Sequence, residues 1–252
     1  MGLPSRTELE ELAIQAGDLA LRHFRKVEAE RKADRSIVTH ADREVEAFLA
    51  AELAARMPDA GILGEEGAAA AGVGPYRVVI DPIDGTSVFV AGLPTWCVCV
   101  GILRDGEAVA GVTYMPCTRD LYGAADGTAW WNGRRLGPLA PAGDVTERFL
   151  VADSEIHLRR RLTYRGKVRS FGSAAYHVVL VARGAAEAAI LGRPHVWDLA
   201  APGAVLAAVG GRYEYLDGGV VDLAALLDGS RAPRDVMAGT PETLASLRAG
   251  RI

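Results

Sequence analysis

Two carboxylates, Asp81 and Asp84, stand three residues apart in the run Arg77-Val78-Val79-Ile80-Asp81-Pro82-Ile83-Asp84-Gly85-Thr86-Ser87. Acids this close repel unless a positive charge lies between them, and a hard divalent cation meets that need. The apolar Val78–Ile80 run reads as a buried strand. Pro82 has no N–H to give and is expected to end the ladder there. Asp81 then sits at the strand exit, and Asp84 is the natural cap of a helix starting at Gly85. The free N–H groups of that helix start suit phosphate. Read without function, the same residues are a strand end, a proline turn and a capped helix.

Other acids invite the same double reading. Asp42 falls in the first turn of a helix expected over Ala41–Met57, where the helix dipole alone favours a carboxylate. Glu65 and Glu66 follow an apolar pair and lie between glycines, as a solvated turn or as part of a charged site. The alanine and glycine stretch from Gly67 to Gly74 suggests a lid beside them. Asp198 opens an apolar helix, where a capping role is the plainer reading. His40 and His195 flank the candidate site in sequence and read as surface or supporting residues. No serine–histidine or cysteine–histidine pair stands out as a nucleophile.

The elements that must position these residues fall into two rhythms. A capping-box pattern, Ser5-Arg6-Thr7-Glu8, leads an amphipathic helix expected over Arg6–Val27. After the central run come hairpins, with turn signals at Asp105-Gly106, Asp126-Gly127 and Asn132-Gly133. Trp130 and Trp131 read as packing, since no basic patch accompanies them. The stretch Pro138–Asp144 is the expected junction, dividing a 1–140 half from a 141–252 half. Beyond it strands and helices alternate: a helix over Glu155–Leu162, one over Ala174–Arg183 opening at Gly172-Ser173, and one over Leu199–Val209.

Composition sets the outer bounds. With 252 residues, 50% hydrophobic and 24% charged, the chain suits a globular fold of one large or two moderate domains. A net charge of -4 gives no reason to expect nucleic acid as a partner. No run reaches the length of a membrane span, and a cytoplasmic location is expected. Of three cysteines, Cys97 and Cys99 alternate within an apolar run and should face one side of a strand in the core.

Taken together and in order, Lys32-Ala33-Asp34, Val38-Thr39-His40-Ala41-Asp42, Gly64-Glu65-Glu66, Asp81-Pro82-Ile83-Asp84-Gly85-Thr86 and Trp197-Asp198 resemble the inositol monophosphatase family. The resemblance implies an α+β fold, a layered αβαβα sandwich, and a Mg²⁺-dependent phosphomonoesterase, usually a homodimer. It implies that Glu65, Asp81, Asp84, Asp198 and the Ile83 carbonyl hold two or three Mg²⁺ ions, with Mn²⁺ an alternative. Thr86 and Asp42, with Glu65, would serve catalysis. Gly85, Thr86, Ser87, Gly172, Ser173 and Leu191 would meet the substrate. An all-oxygen ligand set agrees with that choice of metal on chemical grounds, and such ions can stabilise an in-line displacement at phosphorus.

Two departures bear on substrate. Ser87-Val88 follows Asp-Gly-Thr where the family often has Thr-Asn or a similar polar pair. Leu191 stands seven residues before Asp198, where the inositol phosphatases carry a glutamate that reads a substrate hydroxyl. Gly92-Leu93-Pro94-Thr95-Trp96 resembles the histidinol-phosphate phosphatase branch, whose members can also carry that glutamate. An apolar residue at 191 is compatible with the 3′-phosphoadenosine 5′-phosphate phosphatase branch, so both phosphates are alternative substrates. A regulatory protein that keeps the fold without turnover is the alternative of another class.

Overall fold

The computed structural model describes residues 3–26, 28–31, 37–140 and 149–250. Lys32-Ala33-Asp34 and most of the expected junction at Pro138–Asp144 lie outside the described residues. The chain opens with α1 (Arg6–His23), the antiparallel pair β1 (Glu30–Arg31) and β2 (Ile37–Val38), and α2 (His40–Arg56). Then come β3 (Gly61–Gly64), β4 (Ala69–Ala70), β5 (Tyr76–Asp84), the short α3 (Thr86–Val90), β6 (Cys97–Arg104), β7 (Glu107–Met115), β8 (Asp120–Ala125), β9 (Thr128–Trp131) and β10 (Arg134–Arg135). From Phe149 the order is β11 (Phe149–Ala152), α4 (Ile156–Arg159), β12 (Lys167–Arg169), α5 (Ala174–Ala182), β13 (Ala188–Leu191), α6 (Val196–Ala208), β14 (Arg212–Tyr215), β15 (Val236–Gly239) and α7 (Pro241–Ala249).

Eight strands form the first sheet, in the order β10-β9-β8-β7-β6-β5-β3-β4, and five form the second, β12-β11-β13-β15-β14. Side-chain alternation shows how the layers stack. In β5, Val78 and Ile80 pack with α1 and α2 residues such as Leu12 and Leu49, whereas Val79 faces α5 and α6. In the second sheet, Val151 and Ala189 share that middle core, and Leu150, Ala188 and Ile190 meet Ile156 of α4 and Leu244 of α7. The result is helices, sheet, helices, sheet, helices, the expected αβαβα sandwich.

Local chemistry explains the boundaries. Ser5 and Glu8 make the reciprocal capping box at the start of α1. That helix stops at His23, short of Val27, as Phe24 turns into extended backbone. The hairpin turns carry Asp105-Gly106, Asp126-Gly127 and Asn132-Gly133, all with positive φ, as tight two-residue turns demand. The helix expected over Glu155–Leu162 shrinks to Ile156–Arg159, because Arg160 is already extended. Trp131 stacks on Tyr122 with ring centroids 6.0 Å apart and packs against the middle core, while Trp130 lies under the Arg6 guanidinium at 4.5 Å.

One close approach sets the position of α6. A Cβ on Gly101 of β6 would lie 2.6 Å from the Ala201 nitrogen, and one on Gly111 of β7 would lie 2.6 Å from the Ala201 carbonyl oxygen. The helix backbone therefore rests directly on the strand backbones. Pro202 lies inside α6 and removes the N–H that would bond the Asp198 carbonyl four residues back.

Candidate active site

The central run corrects its sequence reading in two places. β5 does not end at Pro82: it continues through Asp84 over an irregularity, with Asp81 opposite Cys99 and Asp84 opposite Cys97. Three steps on β5 match two on β6, so one residue is extra, as in a β-bulge. Without it, residues three apart would point to opposite faces of the sheet. Cys97 and Cys99 share a face, their sulfurs 3.8 Å apart, and the bulge puts the two aspartates in phase with them. Nor does Asp84 cap the next helix. Gly85 holds the cap position at φ 92°, and a Cβ there would come within 3.0 Å of the Gly172 carbonyl.

That geometry joins the first sheet to α5 and α6. Asp81, Asp84 and Asp198 each bring a carboxylate oxygen to within 4.8 Å of the others. Asp84 Oδ2 accepts from the Ala175 N–H in the first turn of α5, at 3.0 Å. Asp198 is the third residue of α6 rather than its cap, and its Oδ2 accepts from the His195 N–H at 2.7 Å. Thus the capping role and the place in the acid cluster coexist. Asp81 and Asp84 are 1% and 3% exposed, and the Oδ1 atom of each is buried without a hydrogen-bond partner.

Burial and mutual repulsion set the protonation of this trio. The Asp81 carboxyl is pushed well above the usual carboxylate range by burial first, then by Glu65, Asp84 and Asp198. Asp198 is raised by burial, then by Asp84 and Glu65. Burial lifts Asp84 to about 6, while hydrogen bonds from Ser173, Ala175 and Ala174 pull it down. Buried carboxyl oxygens that face one another without donors fit a hard cation, whose charge would return the groups to their ionised form. Glu65 stands outside the close trio, half-buried in the turn after β3, with its N–H on the Ile80 carbonyl at 3.2 Å.

A second arrangement lies beside the trio. Asp42 is fully buried at the start of α2, where its Oδ2 accepts from the Thr39 N–H and hydroxyl at 2.8 and 2.6 Å. Thr86 Oγ1 lies 3.3 Å from Asp42 Oδ1 and 3.2 Å from the Ile83 carbonyl. Burial pushes the Asp42 carboxyl up to about 6, against the pull of the Thr39 bonds.

Asp84, Gly85, Ser87, Gly172, Ser173, Leu191 and Asp198 all line a cavity of about 340 Å³, so most of the expected substrate residues meet around one space. Leu191 is 2% exposed and belongs to the middle core as well as the pocket wall. His40 is an exposed surface residue near Glu44, and His195 stacks on Trp197.

Three residues escaped sequence reasoning. Glu46, 3% exposed, accepts from the Glu66 and Ala68 N–H groups, both at 2.7 Å, and so fixes the turn that carries Glu65. The expected lid also changes character: Ala69–Ala70 pairs antiparallel with β3, tying the Gly67–Gly74 segment to the sheet edge. His177, 1% exposed, accepts from the Phe171 N–H at 2.9 Å and holds the Gly172-Ser173 turn. Asp153, at the end of β11, lines the cavity. Only the helical phase of Glu46, on the α2 side that also carries Asp42 and Val45, gave any signal.

The comparisons with known proteins agree with this geometry. The model of the Inositol monophosphatase family matches residues 4–248. A histidinol-phosphatase of Chlorobaculum parvum is 32% identical over 212 residues, covering 80% of this chain and 82% of that protein. An inositol-1-monophosphatase of Mesorhizobium japonicum is 31% identical over 229 residues, covering 82% and 84%. The crystal structure of the extragenic suppressor protein suhB from Bartonella henselae superposes with a TM-score of 0.81 at 26% identity, over 95% of both chains. The chain belongs to the inositol monophosphatase family, and it is a phosphoric monoester hydrolase.

Proposed function

We propose that the protein is a Mg²⁺-dependent phosphatase that releases inorganic phosphate from a small phosphorylated alcohol. The observation that carries this reading is the convergence of the Asp81, Asp84 and Asp198 carboxylates, with buried, unpartnered oxygens on the first two. These three residues would hold the metal, with Glu65 and the Ile83 carbonyl completing an all-oxygen set that suits Mg²⁺ or Mn²⁺. When bound, the metal lowers the pKa of water and neutralises charge on the phosphoryl group.

The chain's own residues do the rest. The Thr86 hydroxyl, donating toward Asp42 Oδ1, keeps lone pairs free to accept from a water and orient it. Asp42, lifted to about 6, is matched to taking a proton near neutral pH. Gly85, Thr86, Ser87, Gly172 and Ser173 would receive the phosphate end. Leu191 and Pro194 make part of the cavity wall apolar. A ring bearing many hydroxyls would leave some of them unpaired there, which is costly in a buried site. Histidinol phosphate and 3′-phosphoadenosine 5′-phosphate are the alternatives to inositol-1-phosphate for this pocket. A homodimer is expected from the family, and free Cys97, Cys99 and Cys117 suit a reducing cytoplasm.

The test is phosphate release with and without Mg²⁺ across inositol-1-phosphate, histidinol phosphate, sugar phosphates and 3′-phosphoadenosine 5′-phosphate. Turnover is expected only with the cation, and inositol-1-phosphate is not expected to lead. Leu191→Glu should raise kcat/KM for inositol-1-phosphate about tenfold. Metal-independent release would sink the metal assignment. Full efficiency on inositol-1-phosphate, unmoved by Leu191→Glu, would remove Leu191 from substrate selection.

A further inference from the structure

We propose that an arginine-lined cavity beside the catalytic pocket is a second anion site, for a small molecule carrying two or more phosphate groups. It is separate from the phosphoester site, and nothing in it depends on turnover. The cavity measures about 610 Å³, within the roughly 300–1,000 Å³ of small-molecule pockets. Arg159, Arg160, Arg193, Arg234 and Arg248 line it, against the carboxylates of Asp217 and Asp235. The arginines come from the end of α4, the turn between β13 and α6, the approach to β15, and α7.

Four of the five are held in place by acids. Arg160 pairs with Asp235 at 2.9 Å, Arg234 with Asp217 at 2.6 Å, Arg159 with Asp153 at 2.5 Å, and Arg248 with Glu214. A guanidinium has five N–H groups, and one carboxylate engages only one edge of it. The ion pairs therefore fix the forks while leaving donors over, and Arg160 Nε is buried without a hydrogen-bond partner. Planar forks of this kind bind phosphate oxygens two at a time.

Arg193 differs from the other four. Its Nε donates to the Ala232 carbonyl at 3.1 Å, and it has no carboxylate partner among the described residues. Its backbone has φ 47°, directly before Pro194. A left-handed conformation is uncommon for arginine, and a residue before proline favours extended backbone. That conformation sends Arg193 to the arginine cavity while its neighbours Leu191, Gly192 and Pro194 line the catalytic pocket. Five guanidiniums that keep donors free beyond their four carboxylate pairs, in a space larger than one tetrahedral anion needs, select a ligand with several phosphates.

Calorimetric titration of the full chain with tripolyphosphate, without added divalent cation, tests this. Under those conditions the catalytic acids repel anions. One saturable site is expected, weakened at least about tenfold in Arg193→Asn and in Arg234→Ala, and unmoved in Asp84→Asn. Asparagine tolerates the left-handed backbone, so Arg193→Asn should melt no lower than the parent, separating lost binding from lost folding. Absence of saturable binding would overturn the site. So would binding that follows Asp84→Asn and ignores Arg193→Asn. Equal affinity for inorganic phosphate would overturn the assignment to ligands with several phosphates.

Discussion

On one side of the turn from Leu191 to Pro194 lies a buried acid cluster, and on the other an arginine cavity open to solvent. Asp81 and Asp84 are nearly inaccessible, and among the described residues no side chain hydrogen-bonds their Oδ1 atoms. Arg159, Arg160 and Arg234 keep 34%, 36% and 46% of their side chains exposed, and each has a carboxylate within ion-pair distance. Water and pairing make the arginine lattice cheap to maintain. The Oδ1 atoms of Asp81 and Asp84 have neither, so like charge there costs stability until a cation or a proton arrives. The two sides show how one fold treats charge it must merely carry and charge it must use.

The sharpest way to break that contrast is Asp84→Asn. Losing one charge from the cluster should cut turnover about a thousandfold, several kcal/mol at about 1.36 kcal/mol per decade. Without metal, the variant should melt no lower than the parent, because a buried repulsive charge is gone. The rise in melting temperature on adding Mg²⁺ should shrink or vanish. Near-normal phosphatase activity in a folded variant would show that Asp84 is not a metal ligand.

A middle-sized effect is expected from Glu46, an acid on the same side of the molecule whose charge is fully used. Its two short bonds to the Glu66 and Ala68 N–H groups carry charge-assisted strength. Glu46→Ala should destabilise by about 3 kcal/mol and weaken Mg²⁺ binding through the loosened Glu65 turn. Urea unfolding and metal titration read the two effects. A loss of stability with unchanged Mg²⁺ affinity would confine Glu46 to a structural role.

The smallest effect concerns pH and His177, which burial holds at about 4, below its ordinary 6.5. Above 6.5 the histidine is neutral in both folded and unfolded chains, and its contribution is intact. Below 6.5 the unfolded chain takes up a proton that the folded chain refuses until about 4. Stability is therefore lost as pH falls through that window, by about 2 kcal/mol between pH 7 and 5. His177→Gln keeps an acceptor for the Phe171 N–H and should remove that part of the slope. Parallel pH profiles for the two proteins would show that His177 does not titrate on unfolding.

Residue types and their order made the acid cluster legible before any coordinates. Asp81, Asp84 and Asp198 sit beside glycine, proline and tryptophan in combinations that few other sites require. Spacing along one strand could not reveal the bulge, since the extra residue exists only relative to β6. The same ignorance misplaced the helix cap, which depends on the conformation of Gly85 rather than on the chemistry of Asp84. Glu46 drew no reading from the sequence, because its donors, the Glu66 and Ala68 N–H groups, lie about twenty residues away. The arginines of the second cavity are dispersed from Arg159 to Arg248 and signal nothing until strand order gathers them. The sandwich came from the family resemblance, the residue pattern alone giving hairpins followed by alternating strands and helices, whereas the edge pairing of Ala69–Ala70 was hidden by small residues with little strand preference.

Gly101 and Gly111 act as a gauge for the site, although neither touches it. The missing methyl groups fix how deeply α6 sinks onto the sheet, and hence how near Asp198 comes to Asp81 and Asp84. The reach of the acid cluster is in that sense a thickness, set by packing rather than by the acids themselves. A relative could keep every acid in the series and still lose the geometry through one alanine in either strand. Inspection of the acidic motifs would pass such a chain as competent. Whether a member of this family can act is therefore recorded partly in two residues that carry no chemistry at all.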